Sequence, residues 1–154
     1  NGVYNEHFIE HLEKDEGINF FIEMLRIMKP GGIVRTVWPP MEFVDFLRSD
    51  QDLTNHPFVQ QYYHMYVVKH KFAPAGNEHK SLQEQCALGL LYQNGEHKHL
   101  WYKDELINTL INLGYENVKE MPYGKSGVRD FNEIDTPGQI RMLHSAVVEA
   151  TKPW

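Results

Sequence analysis

The sequence has little cysteine, little positive charge and no long apolar run, and each shortage argues against a class of protein. The single cysteine, Cys86, cannot form a disulfide within the chain, which favours a reducing compartment. Lysine and arginine total 15 against 21 acidic residues, and the net charge is -6. Because basic side chains supply most of the affinity for phosphate backbones, we expect no nucleic-acid partner. No apolar run approaches the ~20 residues of a membrane span, so we predict a cytoplasmic protein without membrane contact.

What the sequence does contain is enough apolar material for one core. Of its 154 residues, 42% are apolar, including eight Phe and eight Tyr. We therefore predict a single domain over residues 1–154. Cys86 lies among Ala87, Leu88 and Leu90 and is interpreted as a small buried hydrophobe. The chain starts at Asn1 and enters Val3-Tyr4 without a cap, so we expect it to be a part of a larger protein.

The first third of the chain predicts a helix, a turn and a buried strand. Apolar residues recur at helical spacing from Ile18 to Met28, after the acidic residues Asp15 and Glu16, which suit a helix start. Lys29–Gly32 reads K-P-G-G, in which Pro and Gly suit the two corners of a type II turn. The β-branched run Ile33–Trp38 then predicts a strand covered on both faces, ended by Pro39 and Pro40.

The rest of the chain predicts more helices and two final strands. Looser helical patterns lie between about residues 41 and 93. A helix is predicted over Lys103–Leu113, with Gly114 as its left-handed cap. Short strands are predicted near Asn117–Tyr123 and Ser145–Thr151. The polar loop between these strands holds Asp130, Asp135 and Pro137.

Two histidine patterns raise the question of a metal. His7 to His11 spell H-x-x-E-H, the spacing of inverted zincins, in which both histidines bind zinc and Glu10 is the general base. Such a zinc hydrolase is one alternative, with Glu78 or Glu84 as third ligand. The segment follows a strand stub and leaves no room for the long helix that this arrangement needs. The pattern H-x-H at His97 and His99, beside His79 and Glu96, is more typical of a solvated loop, so we assign no metal ligand.

Three stretches resemble the C-terminal half of a class I S-adenosylmethionine-dependent methyltransferase. The matching stretches are Val3–Leu12 (E-H-x-x-E-H-L), Arg26–Arg35 followed by Pro39 (K-P-G-G), and His97–Tyr102 (similar to H-K-F-L-Y). The resemblance implies an α/β fold: a partial Rossmann-like sheet of strands four to seven, the last antiparallel, with a helical insertion at about residues 41–93. The glycine-rich G-x-G-x-G loop of the family is missing, since strands one to three would precede Asn1.

The resemblance also implies roles for residues near the end of the first strand. It implies that Tyr4, Asn5 and Glu6 face S-adenosylmethionine, that His7 and His11 are catalytic bases, and that His97, Pro39 and Tyr62 line the substrate side. Other interpretations stay open from the residues alone. Glu6, His7 and Glu10 suit a set of loop caps, and Tyr62 with Tyr66 suits the apolar face of a helix.

Two functions of different classes follow. The first is a methyltransferase fragment, acting on a small molecule or carbohydrate in the intact protein and binding its cofactor weakly or not at all alone. The second is a non-catalytic assembly module that pairs through an exposed sheet edge, as a homodimer or with a missing N-terminal half.

Overall fold

Four strands form one mixed sheet in a computed structural model that describes residues 2–135 and 140–154. The strands are β1 (Gly2–Glu6), β2 (Ile33–Trp38), β3 (Glu116–Glu120) and β4 (Ala146–Thr151). Their spatial order is β1-β2-β4-β3; β1 and β2 are parallel, and β4 is antiparallel to both of its neighbours. The protein is therefore of the α/β kind that the sequence predicts. Pro137 of the predicted polar loop lies outside the described residues.

Helices account for most of the remaining described chain. The α-helices are α1 (Lys14–Ile27), α2 (Met41–Leu47), α3 (Pro57–Tyr62), α4 (Leu82–Tyr92), α5 (Lys103–Asn112) and α6 (Arg129–Ile134). Two shorter turns are 3-10 helical (Ile9–His11 and Ile140–Leu143), Gln93–Gly95 is a turn with positive φ angles, and α3 continues into a π-helix (Tyr63–Lys69). The helices and strands that were predicted with bounds agree with the observed ones to within three residues. The prediction of a loop around Asp130 is wrong, because helix α6 contains that residue. Across residues 2–135 and 140–154, none of the helices has the length and apolar character of a bilayer span.

The turn between α1 and β2 has the predicted geometry. The amide of Gly32 donates to the carbonyl of Lys29 at 2.9 Å, which closes a four-residue turn with Pro30 and Gly31 at its corners. Gly31 has φ +73°, the positive value that the third position of a type II turn requires. The same turn pairs with the chain after β4, because the amide of Gly31 donates to the carbonyl of Lys152 at 3.0 Å. The turn that follows helix α1 is thus bonded to the segment that follows β4.

The two faces of the sheet carry different kinds of side chain. One face is apolar and packs on α1 and α5; its buried residues include Phe21, Val34, Trp38, Leu106, Leu110 and Val148. The opposite face buries a charged network, in which Arg35 of β2 pairs with Glu149 of β4 and with Asp135 after α6. Because strand side chains alternate, the neighbours Val34 and Arg35 serve these two environments.

A second apolar core lies among the helices of residues 41–92. Most of its buried members come from α2, α3, the π-helix and α4, and they include Val44, Phe58, Val59, Tyr62, Cys86 and Leu90. Cys86 is fully buried, as predicted. The indole of Trp38 donates to the carbonyl of Trp101 at 3.0 Å, and the amide of Met41 donates to the same carbonyl at 3.1 Å. These bonds join the end of β2, the start of α2 and the segment before α5.

Candidate functional site

The candidate site lies at the edge of the sheet where β1 and β2 end and β4 begins. His7 follows β1 directly, and its amide donates to the carbonyl of Val37 at 2.8 Å. Its backbone then turns sharply, with φ +48°, away from the strand direction. The ring Nε2 of His7 lies 2.9 Å from Oγ of Ser145, the residue before β4. Carboxyl ends of parallel strands are a common place for ligand sites in α/β sheets.

A backbone contact brings two distant parts of the chain together here. The carbonyl of Glu10 accepts hydrogen bonds from the amides of Lys98, at 2.7 Å, and His99, at 3.3 Å. This contact places His97 beside His11, with ring centroids 4.8 Å apart and an edge-to-face orientation. His99 contacts Glu105 instead, at 3.1 Å. The two histidines of the H-x-H pattern therefore belong to different environments.

Glu10, His11 and His97 form a compact group of possible ligands. One ligand atom of each lies within 4.8 Å of the other two. Glu10 is completely buried, and both of its carboxyl oxygens lack a hydrogen-bond partner among the described residues. His97 is also buried. Its Nδ1 makes a short bond to the carbonyl of Leu90, which accepts only, so Nδ1 carries the proton and Nε2 the lone pair.

The position of His97 has a local cause in α4. The carbonyl of Leu90 is one of the last carbonyls of that helix, which have no partner within the helix. The helix ends because Gln93 adopts a left-handed conformation. The backbone amide of Gln93 donates a hydrogen bond to the carbonyl of Gly89. The free carbonyl of Leu90 then accepts the ring of His97.

Both His11 and His97 open onto a pocket of about 210 Å³. The residues that line it are His7, His11, Tyr62, Tyr66, Phe72, Leu90, Gln93, His97, Ile140, Arg141 and His144. Four histidines in one small cavity make it rich in possible bases and ligands.

Burial disfavours the charged forms of His7, His97, His144 and Glu10. Burial lowers the pKa of His7 to about 4 and that of His144 to about 3, and it also lowers the pKa of His97. Burial raises the pKa of Glu10 to about 7. The contact of 3.2 Å between Nδ1 of His7 and Oε1 of Glu10 is therefore not an ion pair near pH 7. Neutral imidazoles can accept a proton or bind a metal ion.

Four of the predicted site residues meet in this pocket: His7, His11, His97 and Tyr62. The predicted catalytic pair and two of the three predicted substrate residues thus share one cavity. Pro39 is buried and is not among the residues that line it.

The three residues predicted to bind cofactor have partners within the protein. The hydroxyl of Tyr4 donates to Asp135 at 2.9 Å. The amide nitrogen of Asn5 donates to Oγ1 of Thr36 at 2.9 Å, whereas its Oδ1 is buried without a partner. Glu6 pairs with Arg141 at 3.0 Å and accepts from Tyr123 at 3.3 Å.

The sequence patterns do not predict two basic residues of the pocket, Arg141 and His144. Neither belongs to a motif, and both come from the segment just before β4. The sequence alone suggests only two roles for Glu10, a zincin base and a loop cap. An acidic residue that the fold buries completely leaves no signal in the spacing, because H-x-x-E-H is equally compatible with an exposed helix.

The zincin geometry is not formed. It needs His7 and His11 on one helix, but the helical turn here covers only Ile9–His11 and His7 lies outside it. Glu78 lines a different pocket, and Glu84 caps the start of α4. Neither belongs to the group of Glu10, His11 and His97.

Comparisons with protein-family models, with curated proteins and with solved structures find no match to this chain.

Proposed function

We propose that this chain is the C-terminal half of an S-adenosylmethionine-dependent methyltransferase and supplies the acceptor side of its active site. The observation that carries the proposal is the histidine pocket at the carboxyl ends of the parallel strands β1 and β2. The resemblance assigns His7, His11, His97 and Tyr62 to reaction and substrate, and these residues line one cavity.

The strand arrangement supports a Rossmann-like sheet. The resemblance implies that the four strands are numbers four to seven and that the last is antiparallel. Here the last strand, β4, runs against both β2 and β3. The strand that would be number four, β1, is parallel to β2 and leads directly into the pocket.

The size of the pocket supports an acceptor site and not a complete cofactor site. Pockets for drug-sized ligands span about 300–1,000 Å³, and this one is about 210 Å³. Tyr4 and Asn5 already bond to protein groups. Glu6 also has partners, Arg141 and Tyr123, but its side chain is still 16% exposed, so its carboxylate can attract a sulfonium. We propose that most of the cofactor is held by residues beyond this chain.

In this proposal the chain positions a small acceptor and accepts its proton. His7 is uncharged at neutral pH because burial lowers its pKa to about 4, so its imidazole can act as a weak general base. The transfer itself then depends on holding donor and acceptor in line.

Calorimetry and a methyl-transfer assay test the proposal. The chain alone is expected to give no heat with S-adenosylmethionine, whereas a polypeptide extended by the residues encoded upstream of Asn1 is expected to bind it with micromolar affinity. In the extended protein, His7→Gln should lower turnover and leave cofactor affinity unchanged, and the control His99→Gln should change neither. Micromolar binding by the chain alone, or none by the extended protein, would overturn the proposal.

The edge of β1 favours a second candidate, an assembly module. Among the described residues β1 pairs with β2 only, so one row of its backbone groups is available to another strand. We propose pairing there with a second copy or with the missing half. Light scattering at rising concentration should show a dimer of this chain, and a monomer at the highest concentration would contradict self-pairing.

A further inference from the structure

We propose that Glu10, His11 and His97 bind one divalent transition-metal ion, with Zn²⁺ as the best match, in a site that differs from the zincin arrangement of the same motif. This inference does not depend on the methyltransferase proposal.

The distances suit a single ion. The three ligand atoms lie within 4.8 Å of one another. A point between them therefore lies within about 2.8 Å of each, and Zn²⁺ bonds to nitrogen and oxygen are about 2.0–2.2 Å long. Each ligand atom needs to move by less than about 1 Å to close that difference, and small changes of the side-chain torsion angles are sufficient for such a shift.

The missing hydrogen bonds point to a cation. Glu10 is fully buried, and neither carboxyl oxygen has a hydrogen-bond partner among the described residues, although Nδ1 of His7 lies 3.2 Å from Oε1 without the geometry of a hydrogen bond. A buried carboxyl group without partners is costly, and native proteins satisfy such groups with a donor or a metal. Nε2 of His97 is a second buried atom without a partner. When Glu10 is ionised, its carboxylate and Nε2 of His97 are both acceptors beside the ring of His11, and one cation can bind to both.

The surroundings of His97 have the form of a metal ligand. Metal-binding histidines usually donate their other ring nitrogen to a carbonyl or carboxylate, which fixes the ring and leaves the lone pair toward the ion. Nδ1 of His97 donates to Leu90 in this way. The carbonyl of Glu10 holds the amide of Lys98, so backbone bonds fix the position of His97 relative to Glu10.

The ligand types select the class of metal. Two imidazoles and one carboxylate are the set used by catalytic zinc, in which the remaining position is open to water or substrate. His11 and His97 both line the histidine pocket, so an ion held by them is accessible from it.

Zinc titration of the purified chain, stripped with EDTA, tests the inference. We expect one equivalent of Zn²⁺ to bind by calorimetry and elemental analysis. Glu10→Gln, His11→Gln and His97→Gln should each weaken binding by about a hundredfold or more, since even outer-shell changes cost 10–100-fold. His99→Gln is the matched control, because His99 faces Glu105, and it should leave the affinity unchanged within about threefold.

Two further measurements keep a folding defect separate from the loss of a ligand. Far-ultraviolet circular dichroism of each variant checks the fold, and Co²⁺ should give the visible absorption of a tetrahedral site in the wild type and in His99→Gln. Binding that survives Glu10→Gln and is lost in His7→Gln would indicate the zincin set and overturn the proposal. Less than half an equivalent in the wild type would also overturn it.

Discussion

Arg35 is the largest charged side chain that this fold buries completely. Its guanidinium contacts Glu149 at 2.8 Å, the carbonyl of Lys125 at 3.1 Å, and Asp135. Asp135 and Glu149 are also buried, so each carboxylate depends on this one cation. Tyr4 donates to Asp135 as well, which ties β1 to the same network.

Replacing Arg35 should therefore be far more costly than replacing an exposed arginine. Arg35→Ala leaves two carboxylates buried without their cation, and we expect a loss of about 3–5 kcal/mol in the free energy of unfolding. The control Arg129→Ala removes an ion pair whose side chains are 90% and 68% exposed, and it should cost less than about 1 kcal/mol. Urea unfolding followed by circular dichroism measures both. Equal losses would show that the network contributes nothing beyond surface pairing.

His144 gives the pocket a sensitivity to acid. Its ring lies between Phe58, at 4.9 Å, and His7, at 5.3 Å, and is 6% exposed. Burial is the largest cause of its low pKa. The basic groups nearby, His7, Arg141 and His97, lower the pKa of His144 further. Protonation of His144 therefore places a positive charge in a buried site, where neither solvent nor a contacting carboxylate compensates it.

Lowering the pH should destabilise the metal-free protein through this residue. The pKa is about 3 in the folded state against an ordinary 6.5, so below pH 6.5 the unfolded chain binds more protons. Stability then falls by up to about 1.4 kcal/mol for each pH unit. His144→Phe should lose this dependence, so its stability relative to the wild type should increase as the pH falls from about 6 to about 4.5. Urea unfolding in EDTA measures the difference, and parallel curves would contradict the assignment.

At the scale of elements, the sequence predicted most of the regular structure because the signals are local. Strand β2 is a β-branched run between a K-P-G-G turn and two prolines, and its observed bounds are the predicted ones. Helix α5 is likewise set by its own periodicity. The π-helix at Tyr63–Lys69 was not predicted, since its bonding differs from an α-helix by one residue and leaves the apolar spacing similar.

The candidate site was predicted only in part, because long-range packing assembles it. His7, His11 and His97 carry motif text and were named, but their meeting depends on a backbone contact between Glu10 and Lys98. Arg141 and His144 belong to the segment before β4, and no local sequence pattern predicts that they line the pocket. The unpartnered state of Glu10 is a property of the fold and cannot be read from spacing.

The turn between α1 and β2 offers a test of one such local signal. Gly31→Ala places a side chain at φ +73° and within 2.9 Å of the Trp154 ring, so we expect a loss of about 1–2 kcal/mol in the free energy of unfolding. Gly127→Ala is the control, because a methyl group there meets no atom within 4 Å, and it should change stability by less than about 0.5 kcal/mol. Thermal unfolding measures both, and a neutral Gly31→Ala would mean that the turn relaxes freely.

At the scale of the whole molecule, the described residues form two apolar cores. The sheet core includes Trp38 and Trp101, and the helical core includes Cys86. Leu100 packs in the helical core and its neighbour Trp101 in the sheet core, so the chain passes from one to the other between adjacent residues. The histidine pocket lies between them, with Tyr62 and Leu90 from the helical core and His7 next to β1.

We expect the helical core to open at a lower free energy than the sheet core. Its elements are short helices and a π-helix, whereas β2 and β4 are buried along nearly their whole length, and local opening follows such differences. Burial raises the pKa of Cys86 to about 12, so its thiol should react with a disulfide reagent only when this core opens.

In a Trp154→Phe background, which removes the 96% exposed indole, fluorescence reports Trp38 and Trp101 of the sheet core. Cys86 labelling should therefore proceed at urea concentrations below the fluorescence transition, with Cys86→Ala as the unlabelled control. If the labelling and fluorescence transitions give the same free energy, the two cores unfold as one unit, and the pocket between them is as rigid as the sheet.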